Sequence, residues 1–321
     1  MAKNGFKIFD TDTHVGPYLD VLEKYLTDAE KSRLPAWEQF KSATNRGYAI
    51  YSKGQRHYRR RLGAADPQDT RGKYMAGFTG AHGARKPHPR VDYEPAERIN
   101  DMDYEGVDVN LMLPSGWFGT WTAGDDVPLD HPDIEPVWAA AQDHDLAMTL
   151  HTFTVMPPYA PGGLDTWDNL FLQRSAAHPW CGMRNMVALI GAGVMDRYPR
   201  LRIGTLEAGH GWLPFWMERL NEHAKTIRSA LPQLKQAPGE YMTGGRYFQS
   251  IEAPEGAKLT NAVIDLIGED VLMYASDYPH GESHFPHTVE MVMAWDMPQA
   301  RKRKLFWDNA IRYYARCGLM K

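Results

Sequence analysis

The feature that most constrains this chain is an alternation of short apolar runs with longer stretches of helical period. Runs at 7–9 (KIF), 107–113 (VDVNLML), 147–151 (AMTLH), 201–206 (LRIGTL), 247–251 and 271–275 (VLMYA) read as buried strands. Helical periodicity covers 95–104, 134–144, 186–197, 213–227, 259–267 and 299–315. Parallel strands need a long crossover and a helix is the usual one, so this pattern predicts a parallel α/β sheet or barrel. At 321 residues one large core is possible without disulfide or metal staples. The two cysteines, Cys181 and Cys317, form no C-x-x-C pair or other zinc spacing. No apolar run approaches the roughly 18 residues of a membrane helix, and the first residues lack a signal peptide's apolar stretch. The expectation is a cytoplasmic protein with no membrane partner. A formal charge of −4 argues against nucleic acid as a partner, and the one strong basic cluster, 56–61 (RHYRRR), reads as solvated surface or as attraction for an anionic substrate.

Chemistry-bearing residues gather at strand ends. Asp12 and His14 are two apart at the end of the first strand and so point to one side. His151 closes the third strand and Asp277 follows the last. Ligands collect where parallel strands end, and two histidines with two carboxylates suit one divalent ion such as Zn, Mn or Fe. His57, His82, His88, His131, His144, His178 and His223 read as satisfied or solvent-facing histidines.

Further motifs run along nearly the whole chain in a fixed order. They are Asp12-x-His14, Arg98-x-x-Asp101-Met-Asp103-x-Glu105-Gly106-Val-Asp108, the strand ending in His151, Asp196-Arg-Tyr-Pro199-Arg-Leu201, Glu207-Ala-Gly-His210-Gly-Trp212-Leu-Pro214, Ser276-Asp277-Tyr-Pro-His280 and Asn309-Ala. Together they resemble the amidohydrolase-related family that includes aminocarboxymuconate-semialdehyde decarboxylase, aromatic-acid decarboxylases and metal-dependent hydrolases. The resemblance implies an α/β fold of the distorted TIM (β/α)8 type, in a single domain over 1–321. It also implies one catalytic metal ion held by Asp12, His14, His151 and Asp277. Where decarboxylase-like members place a general-base histidine, this chain has Glu207, with His210 three residues on. A carboxylate there can act as base, or Glu207 and His210 can bind a second ion; a helix N-terminal carboxylate is the purely structural alternative. A subset with that Glu, which Glu252 and Glu255 also resemble, includes dinuclear iron proteins that activate dioxygen. His280 is a further ligand or a partner that orients Asp277.

The chain departs from the family in two places. Residues 41–90, rich in Gly, Arg, His and Pro, read as an insertion after the first strand, either a lid or a partly disordered or subunit-facing excursion. Six strands are legible where such a barrel needs eight; 117–121 is a candidate for another, its Trp117, Phe118 and Trp121 walling the substrate pocket or packing on helices, and 41–90 is a candidate for a further one. Otherwise a strand-helix unit is missing and a partner chain must cover the gap, as a homo-oligomer such as a dimer or as a hetero-oligomer with an active relative.

The leading expectation is a metal-dependent hydrolase in which activated water attacks an amide, ester or related bond of a small cyclic or aromatic substrate. Asp277, or Glu207 with His210, would move the proton. Non-oxidative decarboxylation of an aromatic acid is the alternative, and it needs a cation from Arg174, Arg184 or 56–61. A dinuclear iron oxygenase and an inactive structural subunit complete the readings.

Overall fold

The computed structural model describes residues 3–15, 26–32, 95–114, 129–152, 170–230, 234–280 and 283–317. The insertion at 41–90, with its basic cluster, and the 117–121 segment lie outside the described residues. Among the described residues six strands form: β1 (Phe9–Val15), β2 (Val109–Pro114), β3 (Ala147–His151), β4 (Arg202–Leu206), β5 (Tyr247–Ser250) and β6 (Leu272–Met273). All neighbours pair in parallel, β1 with β2 and β3 through β6 in sequence order.

Residues 274–278 join the two sheets by running from β6 along β1. The Thr11 N–H donates to the Tyr274 carbonyl (3.1 Å), the Asp277 N–H to the Asp12 carbonyl (2.9 Å), and the His14 N–H to the Tyr278 carbonyl (2.7 Å). The strands therefore make one arc, β2-β1-β6-β5-β4-β3. The two strands of a closed eight-stranded barrel belong between β2 and β3, and among the described residues there is none.

Helices line the outside: α1 (Pro95–Glu105), α2 (Glu135–Asp143), α3 (Leu170–Met186), α4 (Leu213–Thr226), α5 (Gly256–Ile267) and α6 (Asn309–Tyr313). Periodicity anticipates most of them and misses α3, which contains Pro179 and Gly182. Tertiary contact overrides the local breakers there. A Cβ at Gly182 would come within 2.9 Å of the Trp212 ring, and the Trp216 indole N–H donates to the Met183 carbonyl at 3.0 Å.

Side chains pack on both sides of the arc. Ile8, Val107, Leu201, Ile203, Tyr247 and Leu272 belong to the larger cluster. Phe9, Leu206, Phe248 and Met273 share a second one with Ala310, Ile311 and Tyr313 of α6, which floors the barrel. Burial of each large apolar side chain contributes about 1.5–3 kcal/mol.

The site depends on a bulge. The β1–β2 register shifts between Asp10 and Thr13, placing one extra residue on β1. A strict period of two from the inward-facing Phe9 would send Asp12 and His14 outward; the extra residue turns them in.

Candidate metal centre

Four strand ends and one helix build the site. Asp12 and His14 come from β1, His151 from the end of β3, Glu207 follows β4, and Asp277 follows β6. Glu207 (φ 52°) and Asp277 (φ 59°) occupy the left-handed region that favours glycine. The Glu207 turn is held at both backbone groups: the Thr152 hydroxyl donates to its carbonyl (2.7 Å), and its N–H donates to the Ser250 hydroxyl (3.2 Å).

These side chains converge. His14 Nε2 lies 2.9 Å from Asp277 Oδ1 and 3.4 Å from Asp12 Oδ1. His151 Nε2 lies 3.1 Å from Glu207 Oε2 and 3.7 Å from Asp12 Oδ1, and His280 Nδ1 lies 2.7 Å from Asp277 Oδ1. Two overlapping sets of donor atoms lie within 4.8 Å of one another: Asp12, His14 and His151, and His14, Glu207, Asp277 and His280. The residues fit a metal ion. Asp12 Oδ1 and both Asp277 carboxylate oxygens are buried and accept no hydrogen bond of normal geometry, although imidazole nitrogens lie close by. Buried carboxylate oxygens and imidazole nitrogens gathered this closely make a donor set that a divalent cation would satisfy.

Electrostatics follow from burial of acids beside imidazoles. Burial pushes the Asp12 carboxyl up, opposed by its contact with His14. Asp277 is buried too, yet His280 and His14 hold it well below the usual carboxylate range. Burial alone would lower His14, but Asp12 and Asp277 raise it to about 10. Burial, then the charge of His14, depresses His151. Glu207 and Glu252 are both driven well above the ordinary range, first by burial and next by the charge of Asp277.

His210 lies elsewhere. Its Nδ1 is 2.8 Å from Glu255 Oε2 and its Nε2 2.9 Å from the Thr260 hydroxyl, so it ties the loop after β4 to the start of α5 and belongs to neither donor set. Two residues of α3 stand at the centre instead. Arg174 Nη2 donates to Glu207 Oε1 at 2.8 Å, and His178 Nδ1 lies 3.8 Å from the same oxygen. Burial, then the Arg174 charge, lowers His178 to about 3, so it is neutral. The sequence signal for this pair is the i, i+4 spacing that puts both on one helix face. Arg184, ten residues beyond Arg174 on α3, is about 15 Å further along the helix.

A family model described as Amidohydrolase matches residues 70–316. Gamma-resorcylate decarboxylase of Polaromonas sp. (strain JS666 / ATCC BAA-500) is 26% identical over 195 residues, covering 57% of this chain and 56% of that protein, so the match spans about half the curated relative's length. Among solved structures, 5-carboxyvanillate decarboxylase from Sphingomonas paucimobilis matches with a TM-score of 0.60 and 17% identity, over 97% of this chain and 99% of that one. The 5-carboxyvanillate decarboxylase of Novosphingobium aromaticivorans DSM 12444, with bound manganese and 3-methoxy-4-hydroxy-5-nitrobenzoic acid, matches with a TM-score of 0.54 and 17% identity over 98% of each chain. These matches over nearly the full length bear out the distorted (β/α)8-type fold expected from the sequence.

Proposed function

The chain belongs to the amidohydrolase family, and from that premise we propose that it is a metal-dependent decarboxylase of hydroxylated aromatic acids, a lyase and not the hydrolase that led the sequence reading. Gamma-resorcylate and 5-carboxyvanillate, the acids in the names of its relatives, each carry a hydroxyl ortho to the carboxylate that leaves. The observation that carries the reading is the placement of Glu207. One of its oxygens faces His151 at 3.1 Å and the other Arg174 at 2.8 Å, which puts an acid beside the ligand group with a cation behind it.

Asp12, His14, His151 and Asp277 would hold the ion, with His280 in reach as a further ligand and Glu207 beside it as the acid. A divalent ion held there, manganese by analogy with the solved relative, would supply positive charge to polarise a bound aromatic acid. Arg174, 22% exposed at its side chain, offers the acid a cation beside Glu207. Glu207, whose burial favours the protonated form, donates its proton to the ring carbon. The bond from that carbon to the carboxylate breaks, its electron pair stays with the ring, carbon dioxide leaves, and Glu207 regains a proton from solvent. No water is consumed, which separates this reaction from hydrolysis.

A dinuclear centre is the second reading, because the two donor sets overlap. His14 contacts both sides through the same Nε2, and one nitrogen ligates one ion, so a single ion accounts for the two sets more simply.

The test is to load the chain with manganese and supply 2,6-dihydroxybenzoate, 5-carboxyvanillate and aryl amides or esters. The reading predicts carbon dioxide release and, in heavy water, one deuterium at the vacated ring carbon. Hydrolysis of the amides or esters with every carboxylate retained overturns it, and two irons per chain with oxygen uptake would establish the dinuclear reading.

A further inference from the structure

Helix α1 is built inside out. Its buried residues are Arg98 (4% exposed), Asp101 (2%) and Glu105 (4%), whereas Ile99 (57%) and Tyr104 (50%) face outward. Spacings of three and four put the three charged groups on one face. Burying ionisable groups costs several kcal/mol each unless they are paired, and apolar residues of similar volume would pack there at lower cost. Such an inversion calls for a reason beyond packing.

The reason lies on the far side of the metal-ligand strands. Arg98 donates to the carbonyl of His14, and its guanidinium sits over the Tyr278 ring, 4.8 Å from the centroid. The Tyr278 hydroxyl donates to Asp101 Oδ2 at 2.6 Å. The Tyr278 carbonyl in turn accepts the His14 N–H at 2.7 Å, so both backbone groups of His14 are fixed by this cluster. Ser276 is anchored by its N–H (3.0 Å) and hydroxyl (2.6 Å) on the Asp10 carboxylate, and its hydroxyl oxygen accepts the Tyr278 N–H at 3.1 Å. Asp277 is thus flanked by two residues whose side chains point away from the centre and are bonded to β1 and α1.

We propose that Arg98, Asp101 and Tyr278 are positioning residues, a polar truss that sets the separation of His14 and Asp277 and thereby the metal affinity of the centre. This assigns a role to the Arg98-x-x-Asp101 motif. It rests on the reading of the centre as a metal site and is independent of which reaction the metal serves. The truss acts through backbone and aromatic contacts, and none of its three side chains belongs to either donor set. Groups that orient metal ligands are worth about ten- to a hundredfold in metal affinity.

The test compares Tyr278→Phe, Asp101→Leu and Asp101→Asn with the wild type. Each full chain is stripped with a chelator and titrated calorimetrically with manganese, and the visible absorption of the cobalt(II) form reports ligand geometry. Tyr278→Phe and Asp101→Leu are expected to weaken manganese at least tenfold and shift the cobalt band while circular dichroism stays native. Asp101→Asn, whose amide oxygen still accepts the Tyr278 hydroxyl, is expected to stay within threefold of the wild type. A folded Tyr278→Phe chain with less than a threefold loss and an unchanged cobalt band overturns the proposal, and that variant decides the matter if Asp101→Leu does not fold. A wild type that binds manganese but decarboxylates nothing overturns the proposed reaction and leaves this comparison decisive; a wild type that takes up no divalent ion overturns both.

Discussion

Glu207 and Asp277 follow different strands and share one backbone conformation, with φ of 52° and 59°. A side chain in that region costs roughly 1–2 kcal/mol relative to the right-handed conformation. Both residues hold it where their carboxylates must turn back over the strand ends, which is where strain serves a site rather than a fold.

Glu207→Gln tests the proton-transfer role of that turn. Glutamine keeps the shape and the αL cost, and its amide cannot donate a proton to carbon. We expect kcat for decarboxylation to fall about 10²–10⁴-fold with KM and manganese affinity changed by less than tenfold. A steady-state assay with metal titration checks this, and near-normal kcat removes Glu207 from the chemistry.

Arg174→Leu has a signed effect on the pH profile. Burial drives Glu207 up, and the Arg174 charge partly opposes it. Removing the guanidinium raises the Glu207 pKa further, so the protonated form persists to higher pH. The basic limb of kcat against pH should move up, while KM for the aromatic acid rises through loss of the cation. A basic limb that stays or moves down contradicts Glu207 as the acid.

The convergence of candidate donors at strand ends is legible because residue type and strand period are local properties: Asp12, His14, His151 and Asp277 all lie at ends that the apolar runs mark. The bulge that turns Asp12 and His14 inward is a property of the β1–β2 register and has no local signature. Arg174 and His178 were obscured for a related reason. Pro179 and Gly182 break the period of α3, and what brings that helix to Glu207 is its packing on Trp212 and Trp216. His210 shows the converse. Three residues after Glu207 in the motif, it reads as a partner in proton transfer or a ligand of a second ion, and its contacts with Glu255 and Thr260, some fifty residues on, direct it away from the donor sets.

Gly204→Ala probes the barrel floor. A Cβ at Gly204 would sit 2.6 Å from the Tyr313 ring, which is itself fully buried and bonded through its hydroxyl to Thr149 at 3.0 Å. Tyr313 has no room to retreat, so overpacking should cost about 1–3 kcal/mol. Denaturant unfolding measures this directly, and a loss under 0.5 kcal/mol (on the order of ordinary surface substitutions) would mean that α6 moves freely beneath the sheet.

Glu105 gives a pH dependence remote from the metal ligands. Burial, partly opposed by the Val289 N–H at 2.7 Å and by the charge of Lys3, raises its carboxyl from 4.5 to about 7. A raised acid is favoured in its protonated form by the fold, so the folded state binds the proton more tightly than the unfolded chain does. Stability is therefore unaffected by this group below about pH 4.5, falls as pH rises through about 7, and stays reduced above it. Glu105→Gln cannot ionise and still offers an oxygen to Val289. The stability of the variant minus that of the wild type should become more favourable between pH 5 and pH 8, by at most about 3 kcal/mol. Urea unfolding at the two pH values isolates the effect, because every other titrating group is common to both proteins. A difference that does not change with pH would show that Glu105 titrates alike in the folded and unfolded chains.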